Sequence, residues 1–415
     1  SLRSLENAGI ERMARAWHEN SRTQDGKLAV AVVATDSAEL GTLIARAEQH
    51  LRAQPSSPMV GRGVYYTPNP LGSEAPVAFV FPGSGSHYVG MGREALTQWP
   101  TVARSLDRET ETLRSQMYFD GNEDVWRLIL AQVSCGVAMH DVLVHLKLQP
   151  SAVIGYSLGE TTSLFATRTW RDRDEMYRRM CASPLFSSDL GGDFDAARRA
   201  WGLAEGEVVD WCVSVVNRPS GEVRRVLGDS PRVYLLIVNT PDECVIGGDR
   251  AQLAAVVKAL RCEAVEVGGA STVHCPIAEQ VRDAYRELHL LPTTPSPNVR
   301  FYSAAAAKCI DLTRETAADS ILTQAMEGFD FPAVIERAYA DGVRVFVEPG
   351  PGASCTRMIG KILGDKPHFA GYACSEGERE TTSIVNLMAS LFAERVIPDF
   401  GGLYGEPTLA VGHGE

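Results

Sequence analysis

A serine in a tight turn between an apolar strand and a helix constrains this chain more than any other feature. Residues 151–155 (SAVIG) predict a short strand, and a helical pattern begins directly after it in LGETTSLFA. Gly155 and Gly159 flank Ser157 as G-x-S-x-G, a pattern that exposes a serine hydroxyl above the edge of a sheet. The positive end of the following helix would stabilise negative charge beside that hydroxyl. Ser157 is therefore a candidate nucleophile.

A serine nucleophile needs a base, and His274 is the best candidate among the nine histidines. It stands in VGGASTVHCP, after the predicted strand EAVEV, where a turn could present the imidazole to a cleft. Most of the other histidines lie in polar helical stretches or in the C-terminal tail: His18, His50, His140, His145, His289 and His413. A lone histidine is weak support, so its pairing with Ser157 depends on the neighbouring motifs.

The composition excludes several classes of protein. With 45% hydrophobic and 22% charged residues over 415 positions, the chain is globular and long enough for two or three domains. A net charge of −12 argues against nucleic acid as the main partner, because phosphate contacts require an excess of Lys and Arg. The nine cysteines are scattered without a CxxC pair, so we expect reduced thiols, a cytoplasmic location and no zinc site.

The sequence shows neither a basic-then-apolar leader nor an apolar run of about 18 residues, the length that a bilayer span requires. We therefore expect no membrane association. The chain begins with SLRSLENAG rather than with methionine, which fits a piece of a longer polypeptide.

Strands and helices alternate along most of the chain. Residues 28–34 (LAVAVVA) and a helix capped near Asp36 predict a small α/β unit before the linker QPSSPMVG. From Pro76 onward, VAFVFPGSGS, SAVIG and RVFVEPGPG each place an apolar strand before a turn and a helix, which predicts a parallel sheet. Between about 210 and 275, VYLLIVN, ECVIGGD, RAQLAAVVKAL and EAVEVGG predict a compact insert of ferredoxin-like size, rich in antiparallel strands. The predicted fold class is α/β.

Five motifs occur in an order and spacing that resemble a known family: FPGSGSHYVGMG, GYSLGE, NTPDECVIGGD, STVH and FVEPGPG. Together they are similar to the malonyl-CoA:acyl-carrier-protein acyltransferase domains of fatty acid and polyketide synthases, over roughly residues 76–372. The separation of 117 residues between Ser157 and His274 also fits that family. The resemblance implies an α/β-hydrolase-like large subdomain with a parallel sheet and an inserted ferredoxin-like small subdomain at about 208–275.

The flanking segments resemble linkers of the same synthases. Residues 1–72 are similar to the α/β linker between a ketosynthase and its acyltransferase, and residues 373–415 to the segment after the acyltransferase, which packs back on that linker. GYSLGE and the later RDRDEMYRRMCASPLF are most similar to iterative type I synthases of the enediyne or polyunsaturated-fatty-acid kind. A ketosynthase domain of the same polypeptide is therefore an expected neighbour.

The resemblance implies malonyl transfer from CoA to an acyl carrier protein by a ping-pong route. Ser157 would attack the thioester, and His274 would take its proton and return it to the leaving thiol. The backbone N–H groups of Ser84 and Leu158 would form the oxyanion hole. A backbone carbonyl in FYSAAA, near residues 302–304, would steady the imidazole. The domain would bind no cofactor or metal of its own, because the phosphopantetheine belongs to the carrier protein.

The chain departs from the family at the residue that holds the malonyl carboxylate. The family's arginine lies 25 residues after the serine, and that position here is Ala182. Arg178 and Arg179 lie about one helical turn earlier on nearly the same face, so either could bind the carboxylate, with Arg179 the first choice. Each could equally belong to a solvated basic turn.

Four other positions describe the expected pocket. Tyr156 replaces the family's histidine before the serine, and His87 replaces a glutamine. Asn239 matches a family asparagine near the catalytic pair, although it could instead cap the bend at the following proline. Val273 stands where malonyl-selective relatives carry a bulky aromatic residue, so bulk there cannot reject an α-substituted malonyl group. The extender's substituent, the final product and the oligomeric state stay open.

Two other functions also stay open. A serine hydrolase or thioesterase of the α/β-hydrolase type would share the G-x-S-x-G turn, but it would be expected to carry an HGGG-like motif, which this sequence lacks. A docking or nucleotide-binding module would rest on residues 90–95 (GMGREA), but no strand directly precedes them. Hydrolysis without a carrier protein would favour the first, and failure to acylate Ser157 the second.

Overall fold

The structure is a computed structural model that describes residues 9–20, 26–117, 125–228, 230–268, 271–397 and 400–404. The chain divides into two compact units. One unit comprises Ser1–Ala75, Val142–Gln149 and Thr381–Glu415, and the other Pro76–Asp141 and Pro150–Glu380. The predicted flanking linkers, 1–72 and 373–415, extend beyond the described residues at both ends, and His413 lies outside them. The domain bounds therefore stay a prediction.

Helices occur throughout the described residues. They are α1 (Ile10–Asn20), α2 (Ser37–Ala53), α3 (Arg93–Gln98), α4 (Pro100–Glu109), α5 (Leu113–Met117), α6 (Val125–His145), α7 (Gly159–Ala166), α8 (Arg173–Ala182), α9 (Asp195–Ala200), α10 (Ser220–Leu227), α11 (Arg250–Leu260), α12 (Arg282–His289), α13 (Arg314–Glu327), α14 (Phe331–Ala340), α15 (Ser354–Leu363), α16 (Glu380–Ala393) and α17 (Gly401–Tyr404).

The strands form three sheets. They are β1 (Val30–Val32), β2 (Val64–Tyr66), β3 (Val77–Phe81), β4 (Ala152–Gly155), β5 (Trp211–Val216), β6 (Val233–Thr240), β7 (Glu243–Asp249), β8 (Ala264–Glu266), β9 (Arg300–Ser303), β10 (Lys308–Ile310), β11 (Phe329–Asp330), β12 (Val345–Glu348) and β13 (Phe369–Tyr372).

The central sheet of the larger unit has the order β10-β9-β4-β3-β12-β13, and all pairs except β10–β9 are parallel. Every residue of β3 and β4 is buried, because helices cover both faces of a parallel sheet and require apolar side chains on each. Phe81 pairs with Gly155, so the turns that follow β3 and β4 lie side by side at the carboxyl edge. That edge is where parallel sheets place their binding sites.

The second sheet has the order β11-β6-β7-β5-β8 and is antiparallel except for the β11–β6 pair. From β5 to β8 the elements follow the order βαββαβ, with α10 and α11 as the two helices. This order and pairing are those of a ferredoxin-like unit, as predicted from the sequence. The structure adds β5 and α10, which the sequence prediction did not assign, and the short strand β11 from a distant part of the chain.

The smaller unit contains the antiparallel pair β1–β2, with Val30 opposite Tyr66. Asp36 caps α2 by accepting a hydrogen bond from the backbone N–H of Glu39 at 2.8 Å, so the predicted capping position is confirmed. Within the same unit, the Glu394 carboxylate accepts a hydrogen bond from the backbone N–H of Leu71 at 3.1 Å.

Helix α6 corrects one expectation from the sequence. Its stretch Arg127–His145 is long and apolar enough, by length and composition, to cross a membrane. However, 72% of the most apolar part of this stretch is buried inside the protein, which is typical of a core helix.

Candidate active site

Ser157 lies in the turn between β4 and α7 with a backbone φ of +54°, which is unusual for a residue other than glycine. The turn closes only because its flanking residues are glycines. A Cβ on Gly155 would lie 2.0 Å from the backbone nitrogen of Glu160, and a Cβ on Gly159 would lie 2.0 Å from the carbonyl oxygen of Phe81. This strained turn at the head of a helix has the geometry of a nucleophile elbow.

The structure brings Ser157 and His274 together, although 117 residues separate them. Ser157 Oγ lies 2.7 Å from Nε2 of His274. The other ring nitrogen, Nδ1, lies 2.8 Å from the backbone carbonyl oxygen of Gln324. Because a carbonyl can only accept, Nδ1 carries the proton, and Nε2 presents its lone pair to the serine hydroxyl.

The imidazole is held neutral as well as oriented. His274 is 7% exposed, and this burial lowers its pKa to about 4. The ring of Phe329 packs edge-on against it, with 5.4 Å between ring centroids. At neutral pH the imidazole is therefore free to accept a proton.

The carbonyl that orients His274 is not the one predicted. The sequence prediction placed it near residues 302–304, whereas the Gln324 carbonyl on α13 accepts the bond. Gln324 is fixed in turn by its side chain, whose Nε2 donates to Glu160 Oε2 at 2.9 Å and to the Ser157 carbonyl at 3.3 Å. The FYSAAA segment reaches His274 only indirectly, through Glu160 and Gln324. The backbone N–H of Ala304 in this segment donates to Glu160 Oε1 at 2.5 Å.

Glu160 is fully buried on α7, three residues after the nucleophile. Burial raises its pKa to about 7, although three hydrogen-bond donors oppose the shift. Glu160 is the last residue of the GYSLGE motif, so the motif could have identified it. No local pattern identified Gln324, which joins the site only through the packing of α13.

The predicted oxyanion-hole residues both line the same cavity as Ser157 and His274. Leu158 is the N-cap residue of α7, where backbone N–H groups have no partner within the helix. Ser84 lies in the turn after β3, and the side chain of Gln132 on α6 anchors that turn. Gln132 Oε1 accepts from the backbone N–H of Ser86 at 3.2 Å, and its Nε2 donates to the Gly83 carbonyl. Gln132 is a second residue that the sequence prediction missed.

The cavity has a volume of about 140 Å³ and is mainly apolar away from the catalytic pair. Its apolar wall includes side chains from α6, α7, α8, α12 and α13: Ile129, Leu130, Val133, Phe165, Met176, Met180, Leu288 and Ile321. Val273 also lines it, as predicted. A cavity of this size suits a short acyl group and is too small for the nucleotide of CoA.

The structure does not bring Arg178 or Arg179 to the cavity. Arg178 is largely exposed and pairs with Glu175. Arg179 donates from Nε to Glu175 at 2.7 Å and from Nη1 to the Glu287 carbonyl at 2.9 Å, at the end of α12. Both therefore pair with other groups and do not line the cavity, contrary to the predicted carboxylate-binding role. The periodicity of α8 identified a shared face but not which residues pair there.

A different arginine of the same segment lines the cavity. Arg173, the first residue of α8, is 3% exposed and lies with Ser157 and His274 among the cavity residues. The sequence prediction did not select Arg173, because it lies in the polar run RDRDEMYRR. Charged residues in such a run are usually exposed to solvent.

Three other predicted pocket residues lie beside the cavity rather than in its lining. The Tyr156 hydroxyl donates to Asn239 Oδ1 at 2.6 Å, and Asn239 Nδ2 donates to Glu243 Oε1 at 3.0 Å. Tyr156 and Asn239 thus pair with each other. His87 is half-buried in the loop after β3, and burial lowers its pKa.

No family model matches this chain. The chain is 27% identical over 372 residues to one component of the polyunsaturated fatty acid synthase of Thraustochytrium sp., covering 80% of this chain and 18% of that protein. It is 25% identical over 306 residues to the malonyl CoA-acyl carrier protein transacylase of Bacillus subtilis, covering 69% of this chain and 90% of that protein. The chain thus spans less than a fifth of the synthase component and most of the transacylase.

Solved structures share the fold. The acyltransferase domain from the second module of the salinomycin polyketide synthase matches with a TM-score of 0.71, covering 97% of this chain and 92% of that chain, at 22% identity. The malonyl-CoA:acyl carrier protein transacylase of Xanthomonas oryzae pv. oryzae matches with a TM-score of 0.60, covering 75% and 99%, at 20% identity.

The fold is therefore that of the acyltransferase domains, and the predicted α/β class is confirmed. The predicted resemblance to malonyl-CoA:acyl-carrier-protein acyltransferases is also confirmed, with a polyunsaturated fatty acid synthase among the relatives. The resemblance to enediyne synthases stays a prediction.

Proposed function

We propose that this protein transfers a malonyl group from CoA to the phosphopantetheine thiol of an acyl carrier protein, through an acyl group on Ser157. The observation that carries the proposal is the distance of 2.7 Å between Ser157 Oγ and His274 Nε2. Both residues line a cavity whose size suits a short acyl group. The similarity to malonyl-CoA:acyl-carrier-protein transacylases supports malonyl as the acyl group and a carrier protein as the acceptor.

In the first half-reaction, Ser157 Oγ forms a bond to the thioester carbonyl carbon while its proton passes to Nε2 of His274. The backbone N–H groups of Leu158 and Ser84 stabilise the oxyanion that forms. The C–S bond then breaks, and the proton moves from Nε2 to the sulfur of CoA. The product is malonyl-Ser157 and free CoA.

The second half-reaction uses the same groups in reverse. The carrier protein's thiol gives its proton to Nε2 of His274 as its sulfur bonds to the acyl carbon. The bond to Ser157 Oγ then breaks, and the proton returns from Nε2 to that oxygen. The Gln324 carbonyl keeps Nδ1 protonated throughout, so no aspartate is needed to orient the imidazole.

The surroundings of the reaction form part of the proposal. We infer that the domain works in the cytoplasm, next to a ketosynthase domain of the same polypeptide. All nine cysteines are free, which supports a reducing compartment, and the similarity to a fatty acid synthase supports the neighbour. The steps above require no cofactor bound by this domain.

The proposal is tested by isolating the protein after incubation with malonyl-CoA and then adding carrier protein. We expect the malonyl mass to move from this protein to carrier protein that bears phosphopantetheine, and to stay in place with carrier protein that lacks it. Equal loss of the malonyl group to water in both cases would contradict the proposal and favour the serine hydrolase.

A further inference from the structure

Arg173 occupies an unfavourable position for a cation. It is the first residue of α8, directly after the N-cap Asp172, where the helix dipole is positive. Its side chain is also 3% exposed, so it has lost nearly all of its hydration. Such a residue requires strong partners or a ligand that supplies them.

Among the described residues, the protein supplies only one weak hydrogen-bond partner. Arg173 Nη1 lies 3.5 Å from Glu109 Oε2. The same carboxylate is shared with Arg168, whose Nη2 lies 3.1 Å from it. The nearby Asp174 carboxylate is occupied by Thr110 Oγ1 at 2.5 Å, Thr112 Oγ1 at 2.6 Å and the backbone N–H of Glu111 at 2.9 Å.

The two remaining nitrogens, Nε and Nη2, are buried and have no hydrogen-bond partner in the part of the chain that the structure describes. Their N–H bonds lie on the same edge of the planar guanidinium and point in the same direction. That edge is one of those that a carboxylate binds through two parallel hydrogen bonds. Leaving such buried donors unsatisfied is costly, and a carboxylate brought against this edge would satisfy both.

Resting on the proposed function, we propose that Arg173 binds the free carboxylate of the malonyl group through Nε and Nη2 while the thioester carbonyl lies at Ser157. Arg173 and Ser157 both line the cavity of about 140 Å³, where the malonyl group would lie with one end at each. Among the described residues that line the cavity there is no other Lys or Arg side chain, since Arg178 and Arg179 pair outside it.

This placement explains how the chain functions with alanine at position 182. The carboxylate partner lies nine residues earlier on the same helix, at its first turn instead of its last. Arg173 would therefore select acyl groups that carry a carboxylate over those that do not.

The test measures single-turnover acylation of Ser157 by intact mass, with malonyl-CoA and acetyl-CoA, in the wild type and in Arg173→Ala. We expect malonyl loading to fall by about 10- to 100-fold, the usual effect of losing hydrogen bonds to a charged group. Acetyl loading should be retained, because acetyl has no carboxylate. Retained acetyl loading also shows that the variant is folded. Equal losses for both acyl groups would overturn the inference.

Two matched variants locate the effect on α8. Arg178→Ala and Arg179→Ala should leave the ratio of malonyl to acetyl loading unchanged, because both side chains pair outside the cavity. A selective loss of malonyl loading in either one would assign the carboxylate to that arginine and overturn the inference for Arg173.

If Arg173→Ala does not fold, Arg173→Lys provides a second test, because it retains the charge but lacks the two-point edge. We expect it to lose malonyl loading selectively, and an unchanged ratio would overturn the inference. On the wild type, malonamoyl-CoA, in which an amide replaces the carboxylate, should load more slowly than malonyl-CoA, and equal rates would also overturn it. A wild type that is never malonylated at Ser157 would instead overturn the proposed function, and this inference with it.

Discussion

The two ends of the cavity differ in how completely their polar groups are paired. At one end, Ser157, His274 and the Gln324 carbonyl form a continuous chain of hydrogen bonds. At the other end, Arg173 has two buried donors without a hydrogen-bond partner among the described residues. The first end is assembled before any substrate binds, whereas we propose that a substrate carboxylate completes the second. This difference supports the proposal that the Ser157 end performs the chemistry and the Arg173 end selects the acyl group.

The largest expected effect is at the Ser157 end. Ser157→Ala should abolish the mass increase from both malonyl-CoA and acetyl-CoA, because no other nucleophile replaces the hydroxyl. Intact-mass measurement checks this. Ser84→Ala is the matched control, since its backbone N–H persists and loading should be largely retained. A mass increase that survives in Ser157→Ala would remove the serine from the mechanism.

The next effect is expected at His274. His274→Ala should slow loading of malonyl and acetyl alike by on the order of 10² to 10⁴, the usual contribution of a positioned general base. Rapid-quench measurements of acyl-protein formation would determine both rates. His87→Ala, outside the cavity lining, should leave them close to the wild type. An unchanged rate in His274→Ala together with a loss in His87→Ala would reassign the base.

Glu160 should have a smaller effect that reaches His274 through Gln324. Glu160→Ala leaves buried donors unsatisfied, so it should cost about 1–3 kcal/mol of the free energy of unfolding, measured in urea. It should also slow loading, though less than His274→Ala does. Glu348→Ala is the matched control, because Glu348 is equally buried but holds the backbone N–H groups of Cys355 and Thr356. Equal effects of both variants on loading would exclude a positioning role for Glu160.

The smallest expected effect is that of mild acid on the wild type. The imidazole must be neutral to accept the serine proton, so loading falls as pH falls through the pKa of His274. Burial sets that pKa to about 4. From pH 7 to pH 5 the malonyl-loading rate should therefore change by less than about twofold, whereas an ordinary histidine would lose most of its neutral form. A midpoint near pH 6.5 would contradict the burial of His274.

The sequence predicted one end of the cavity far better than the other. Ser157 was visible because its turn requires glycines at fixed positions, and His274 because its motif keeps a family spacing. The Gln324 carbonyl was missed, since any residue can supply a carbonyl and only the packing of α13 decides which one faces the ring. Arg173 was missed for a related reason. Its proposed role depends on the burial of its side chain and on the sharing of Glu109 with Arg168. Neither can be predicted from the sequence of α8 alone.

The same contrast appears in the fold. The alternation of apolar strands and helices predicted the parallel sheet, because burial on both faces leaves a continuous apolar pattern. The strand β11 was not predicted, since its two residues join the second sheet only through a pairing with β6 across about ninety residues of chain.

The central claim, that one end of the cavity performs the chemistry and the other selects the acyl group, is tested most directly by one comparison of single-turnover rates. Malonyl and acetyl loading would be measured for the wild type, His274→Ala and Arg173→Lys under the same conditions. The account predicts that His274→Ala lowers both rates by the same factor and that Arg173→Lys lowers the malonyl rate alone. If both variants changed the two rates in the same proportion, the two ends would not have separate functions, and the account would be wrong.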